Sequence, residues 1–118
     1  MQKDRFYSPK TIRILLEGYM HLLERDLPPE IQERLELSGR VSYRPVNMVS
    51  FVIAIKADLD RAITHLKSLN GYIVVMGHVL GWDNEEIGHV VGLSPGAVND
   101  RKRRSILKMA EFLGWRTE

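Results

Sequence analysis

The sequence predicts an all-α protein, and three observations support this fold class. Apolar residues recur every three or four positions along most of the 118 residues, which is the spacing of one helix face. Serine or aspartate precedes several of these runs, with proline or glutamate at the positions that follow a helix N-cap. The β-branched run at residues 73–75 is isolated between helical segments, so we predict a buried helix there rather than a strand.

The first 47 residues predict two helices followed by a linker. Ser8–Pro9 is a cap and first-turn signal, and apolar residues follow at helical spacing to about Asp26. Pro28–Pro29 ends that helix, and a short amphipathic helix comes next. The stretch from Ser38 to Asn47 contains glycine and proline, which makes it the best candidate for a linker loop.

Residues 48–69 predict a longer helix that Asn70–Gly71 ends. Its apolar positions step alternately by four and three residues, which is the heptad spacing of a helix–helix seam. Three repeats fit both a core within one chain and a dimer interface, so both alternatives stay open. The seam positions are Met48, Val52, Ile55, Leu59, Ala62, Leu66 and Leu69.

Residues 83–91 predict a short helix with a capping box at its N-terminus. The Asp83 carboxylate can cap the helix, and Glu86 can reach back to complete a capping box. Ile87, Val90 and Val91 then form an apolar stripe that faces a core. Gly92 follows, and this residue can take the left-handed conformation that ends a helix.

A second, longer helix is predicted to start at once. Ser94 is its N-cap and Pro95 its first residue, while Leu93 supplies an apolar side chain in the turn. Small residues near the turn let two helices cross closely, as in a helix-turn-helix. These small residues are Gly88, Gly96 and Ala97.

This segment resembles the promoter-reading C-terminal domain of bacterial sigma factors and of small sigma-like phage regulators. The similarity covers roughly residues 72–113, where the apolar run before the motif resembles the family's buried preceding helix. It implies N-terminal helices packed with a C-terminal sigma-like helix-turn-helix, and it implies duplex DNA and RNA polymerase as partners. The matching residues are Glu86, Ile87, Val90, Val91, Gly92, Leu93, Ser94, Gly96, Val98 and Arg101.

Three positions depart from the family pattern. Gly88 replaces the usual alanine, which weakens the first helix by about 1 kcal/mol. Ala97 replaces a serine or threonine that could bond a phosphate. Lys102 stands where the family usually has leucine, so we expect its stem to lie along the edge of the core.

Charge is distributed unevenly although the net charge is only +2. Residues 83–94 carry −3, whereas residues 95–110 carry +4. Basic residues concentrated on the second helix suit a polyanion, because each phosphate they neutralise releases counterions.

The second helix therefore carries the predicted DNA-binding residues. Asn99, Asp100 and Arg103 point away from Val98 and suit base edges, since such side chains pair with adenine, cytosine and guanine. Arg101, Arg104 and Lys108 flank them and suit phosphates, and Ser94, Gly96 and Lys102 complete the set. For each residue the alternative is a solvated surface charge. Leu107 also lies opposite Val98, so we expect the N-terminal helices, or alternatively a second protomer, to cover it.

Composition and motifs argue against an enzyme, a metal-binding protein and a membrane protein. There is no cysteine, the four histidines show no metal-ligand spacing, and no phosphate-binding glycine loop or nucleophile elbow occurs. We therefore expect no enzyme and no cofactor. The longest uncharged run has 15 residues, short of a membrane span, and the polar N-terminus does not resemble a signal peptide. These features favour a cytoplasmic protein.

The leading hypothesis is a sequence-specific, DNA-binding transcriptional regulator that forms a homodimer or a higher homo-oligomer. Its regions would be a helical N-terminal part with the linker (1–47), a connecting or oligomerisation helix (48–70) and a DNA-binding domain (71–118). One alternative is a protein-interaction module that engages RNA polymerase or a sigma factor. Another is the small subunit of a phage DNA-packaging machine, which also joins a helix-turn-helix to an oligomerisation helix.

Overall fold

The computed structural model describes residues 6–37 and 48–116, which are helical with no strand. The predicted linker loop at 38–47 lies outside the described residues. The helices, in chain order, are α1 (Pro9–Glu17), α2 (Tyr19–Leu23), α3 (Pro29–Leu37), α4 (Met48–His65), α5 (Ser68–Val74), α6 (Asn84–Val91) and α7 (Pro95–Phe112). A π-helical turn, Val75–Val79, continues α5. The all-α prediction is confirmed.

Helix α1 begins as predicted but ends earlier. The Ser8 hydroxyl accepts a hydrogen bond from the backbone N–H of Thr11 at 3.2 Å, and Pro9 is the first helical residue. The prediction of one helix to about Asp26 is wrong, because Gly18 separates α1 from α2. A Cβ at Gly18 would overlap the end of the Ile31 side chain, so α3 packs directly over this break.

Two tyrosine–aspartate hydrogen bonds join the N-terminal segment to α4. The Tyr7 hydroxyl donates to Asp58 at 2.6 Å, and the Tyr19 hydroxyl donates to Asp60. Burial is the main reason that the pKa of Tyr7 is raised above its ordinary value. The two aspartates point to different partners, as expected for helix positions two residues apart.

Helix α4 ends at His65, four residues before the predicted end. Asn70–Gly71 does not end a helix but lies within α5. In this helix the Asn70 side-chain oxygen accepts a hydrogen bond from Arg101 of α7 at 3.1 Å. The larger core buries Val52, Ile55, Leu59, Ala62 and Leu66. The intramolecular alternative for the seam is therefore confirmed at these five positions.

Helix α7 joins two apolar cores. Near its start, Val98 is buried with Ile73 and Ile87 in the smaller core. Farther along, Ile106 and Met109 are buried in the larger core with the N-terminal helices. Because one continuous helix contributes to both cores, the α6–α7 pair is packed against the rest of the described chain.

Two apolar residues that the sequence predicted to pack are exposed to different degrees. Val90 was predicted to join the buried stripe of Ile87 and Val91, but its side chain is 63% exposed. Leu107 is 37% exposed, so its side chain is only partly covered within the described residues. Its neighbour Ile106 makes the buried contact because it lies on the side of α7 that faces the larger core.

Candidate nucleic-acid interface

The start of α6 is held by the predicted capping box. The backbone N–H of Glu86 donates to the Asp83 carboxylate at 2.8 Å, and the Asp83 N–H donates to the Glu86 carboxylate at 2.9 Å. Two otherwise unpaired backbone donors are thus satisfied. Ile87, one residue later, is fully buried and fixes the orientation of the helix.

The turn between α6 and α7 has three residues and depends on two glycines. Gly92 has φ 77° and ψ 32°, the left-handed conformation that glycine adopts without steric cost. Its N–H and that of Leu93 both donate to the Gly88 carbonyl, at 2.8 and 3.0 Å. A Cβ at Gly88 would overlap the Leu93 carbonyl oxygen, so glycine lets the turn fold back onto α6.

The start of α7 also follows the prediction. The Ser94 hydroxyl accepts a hydrogen bond from the N–H of Ala97 at 3.1 Å, and Pro95 is the first helical residue. Gly96 is exposed, and a Cβ there would meet nothing within 4 Å. The prediction that Gly96 permits close helix crossing is therefore wrong, whereas Gly88 permits close approach of the turn residues Leu93 and Ser94.

Five of the predicted DNA-binding side chains lie on the open surface of α7. The Arg103 guanidinium contacts the Asp100 carboxylate at 3.5 Å, and the two side chains are 75% and 60% exposed. Arg104 donates to the backbone carbonyl of Asp100, also at 3.5 Å. Exposed pairs of this kind contribute little to folding, so these side chains can exchange partners for a ligand. The five are Asn99, Asp100, Arg103, Arg104 and Lys108.

The other two predicted basic residues are held by neighbouring helices. Lys102 donates to the side-chain oxygen of Asn84 at 2.8 Å, and Arg101 donates to Asn70 on α5. The Lys102 stem passes Gly77, where a Cβ would lie 3.2 Å from Cδ. Its position along the core edge is therefore confirmed. Nothing in the local sequence marks Asn70 or Asn84, because both bonds join residues far apart in the chain.

His78, in the π-helical turn, lies between α1 and α7. Burial is the main cause of its lowered pKa. The positive charges of Lys102 and Arg13 lower the pKa further, while the Glu17 carboxylate opposes them. Both helices thus bring basic groups close to the same histidine.

The described residues contain neither a metal-binding cluster nor a membrane-spanning helix. Within residues 6–37 and 48–116, no three histidine or acidic side chains are grouped closely enough to hold a metal ion. Among the described helices, none has the length and apolar character needed to span a membrane.

Comparison with known proteins finds a partial match to a sigma factor. Over 41 residues, which are 35% of the chain, the sequence is 49% identical to the RNA polymerase sigma factor CarQ of Myxococcus xanthus. The match spans 24% of the length of that sigma factor. No family model and no solved structure matches the chain. Part of this chain is therefore similar to a sigma factor.

Proposed function

We propose that this protein is a sequence-specific transcriptional regulator that binds double-stranded DNA through a helix-turn-helix formed by α6 and α7. The observation that carries the proposal is the capped α6–turn–α7 unit, which leaves the outer face of α7 polar, basic and exposed. In a helix-turn-helix the second helix enters the major groove with its N-terminal residues at the base edges. The partial similarity to a sigma factor supports the same function.

The exposed residues of α7 divide into two roles. Asn99, Asp100 and Arg103 lie in the first three turns and have the side chains that pair with base edges. Arg104 and Lys108 flank them and suit phosphates, which give affinity without sequence information. Ser94 and Gly96, at the exposed helix start, allow close approach of the DNA backbone.

Arg101 and Lys102 remain in the proposed interface with a positioning role. Each already donates a hydrogen bond to an asparagine on a neighbouring helix, so each holds α7 at a fixed orientation. Misplacing α7 would weaken contacts at all bases together, because the base-reading residues share one rigid helix.

Selection from a random duplex library tests the proposal. The wild-type protein should enrich a consensus sequence, and Asn99→Ala with Arg103→Ala should lose preference at specific base positions. Lys108→Ala is the matched control, since loss of a phosphate contact weakens binding to all sequences about equally. Failure of the wild-type protein to enrich any consensus would overturn the proposed function.

A second candidate function is direct contact with RNA polymerase or a sigma factor. It is favoured by a cleft of about 470 Å³ that Glu85, Glu86 and His89 line together with exposed Trp82 and Val90. Exposed apolar side chains within a polar rim are typical of protein-binding surfaces. Purified polymerase should then bind the nuclease-treated wild-type protein more tightly than the Trp82→Ala variant.

We also propose that the protein acts as a homo-oligomer, which remains a prediction from the sequence. The buried seam of α4 does not supply its interface, since those side chains fill the chain's own core. The mass of the protein in solution measures the oligomeric state. A dimer fits a regulator, whereas a large ring would favour the DNA-packaging alternative.

A further inference from the structure

A second basic surface lies outside the sigma-like segment, between α1 and α3. A groove of about 320 Å³ is lined by Lys10, Arg13, Ile14, Glu17 and Arg34. Arg34 is held by the Glu17 carboxylate at 2.9 Å. Lys10 and Arg13 are exposed and have no ion pair within the described part of the chain. The groove therefore presents two cations that the fold does not neutralise.

The helix that carries Lys10 and Arg13, α1, packs against α7 itself. Asn99, Arg103, Ile106 and Ala110 step by four, three and four residues, so they form one stripe along α7. The second half of the stripe is buried in the larger core, and the first half is exposed. The helices that bury Ile106 and Ala110 therefore lie near the exposed Asn99 and Arg103 on the same stripe.

Helix α1 is the element that fits this position. Phe112, on another side of α7, stacks on His65 of α4 at 4.4 Å between ring centroids, and Arg101 bonds Asn70 of α5. Helix α1 packs against α7 and also against the π-helical turn. The π-helical turn also lies against α7, since a Cβ at Gly77 would be 3.2 Å from Cδ of Lys102.

We propose that Lys10 and Arg13 contact backbone phosphates of the DNA duplex beside the segment that α7 reads. This inference rests on the proposed DNA-binding function and extends it to a helix outside the sigma-like segment. Duplex DNA presents about one charge per 1.7 Å of helix axis, so a flanking basic groove finds phosphates whatever the sequence. The longest dimension of the protein is 45 Å, equal to about 13 base pairs at 3.4 Å each.

The test compares the Lys10→Ala, Arg13→Ala double variant with a control that loses the same charge elsewhere. The control is Arg25→Gly with Arg116→Ala; Arg25 has φ 59°, which suits glycine, and both arginines are exposed. Binding is measured at several salt concentrations on a duplex of about 25 base pairs that carries the selected consensus. A second duplex is trimmed to the consensus alone.

On the long duplex, the double variant should make the negative slope of log K against log salt shallower by about one to two relative to the control. The consensus should stay the same, and the difference should vanish on the trimmed duplex. Lys10→Arg with Arg13→Lys keeps both charges and should keep the slope. If the double variant and the control have equal slopes on the long duplex, the inference is wrong while the proposed function stands. If the wild-type protein shows no salt-dependent DNA binding, the proposed function itself fails.

A small-anion site is the competing explanation for the groove. It predicts that inorganic phosphate protects the wild-type protein, but not the double variant, against thermal unfolding. That result, together with equal slopes on the long duplex, would replace the DNA contact by a phosphate site.

Discussion

The side-chain amine of Lys102 donates a hydrogen bond to the side-chain oxygen of Asn84 at 2.8 Å, which ties the middle of α7 to the first residue of α6. The two residues are 18 positions apart and both side chains are half-buried. The Lys102 stem also packs against Gly77. One lysine thus holds together α6, α7 and the π-helical turn at a position where the resembled family has leucine.

Lys102→Ala should therefore lower the free energy of unfolding by about 1–3 kcal/mol, through loss of both the hydrogen bond and the packing of the stem. Lys102→Met keeps an apolar stem of similar length, so its free energy of unfolding should fall less than that of Lys102→Ala. Urea denaturation measures both variants. The matched control is Lys108→Ala on the exposed face, with an expected change within about 0.5 kcal/mol. Equal stability of the two alanine variants would show that Lys102 does not brace the helices.

Gly88→Ala should destabilise the protein although alanine favours helices. The added Cβ would overlap the Leu93 backbone carbonyl, and a backbone atom in a tight turn cannot move aside freely. We expect a loss of about 1–3 kcal/mol by chemical denaturation. Gly71→Ala, where the nearest atom is at 3.7 Å, should instead gain up to about 1 kcal/mol. A gain at both positions would contradict the close approach at Gly88.

Asp83→Ala should cost about 0.5–2 kcal/mol of stability, because it removes the side chain that caps α6. Glu85→Ala is the control, since Glu85 is exposed in the same turn and takes no part in the capping box. Thermal unfolding followed by circular dichroism compares the two variants. The prediction fails if both variants unfold at the wild-type temperature.

Arg101 and Asn70 should act as one unit in DNA binding. If Arg101 positions α7 through Asn70, then Asn70→Ala should weaken DNA binding in the same way as Arg101→Ala, each on the order of fivefold. The double variant should be no weaker than either single variant. Fluorescence anisotropy with the selected duplex measures all three affinities. If the loss of affinity in the double variant equals the product of the two single losses, Arg101 instead contacts DNA directly.

His78 should make stability fall as the pH decreases. Its folded-state pKa is lowered from the ordinary value of 6.5, chiefly by burial and then by Lys102, with Arg13 adding and Glu17 opposing. Below pH 6.5 the unfolded chain therefore binds a proton more readily, and folding loses stability as the pH falls toward the lowered pKa. His78→Gln should flatten the change between pH 7 and 5, whereas His21→Gln, at an exposed position, should not. Denaturation at each pH measures the free energy of unfolding of both variants.

The short-range features of this protein could be predicted from the sequence because their bonds join near neighbours. Asp83 with Glu86, and Ser94 with the N–H of Ala97, span three residues each, and Gly92 needs only its own backbone freedom. The all-α fold and the polar outer face of α7 follow from the same local periodicity.

Tertiary structure decided the features that depend on residues far apart in the chain. Asn70–Gly71 would end an isolated helix, but in the folded protein Arg101 of α7 pairs with Asn70 and the helix continues. Val90 has the right spacing for a core, yet no element within residues 6–37 and 48–116 buries it. Periodicity locates a helix face, whereas burial of that face requires a packing partner. The sequence therefore determined the starts of α1, α6 and α7 and the turn between the last two, and packing determined where helices break, which apolar residues stay exposed and which basic residues are held in place.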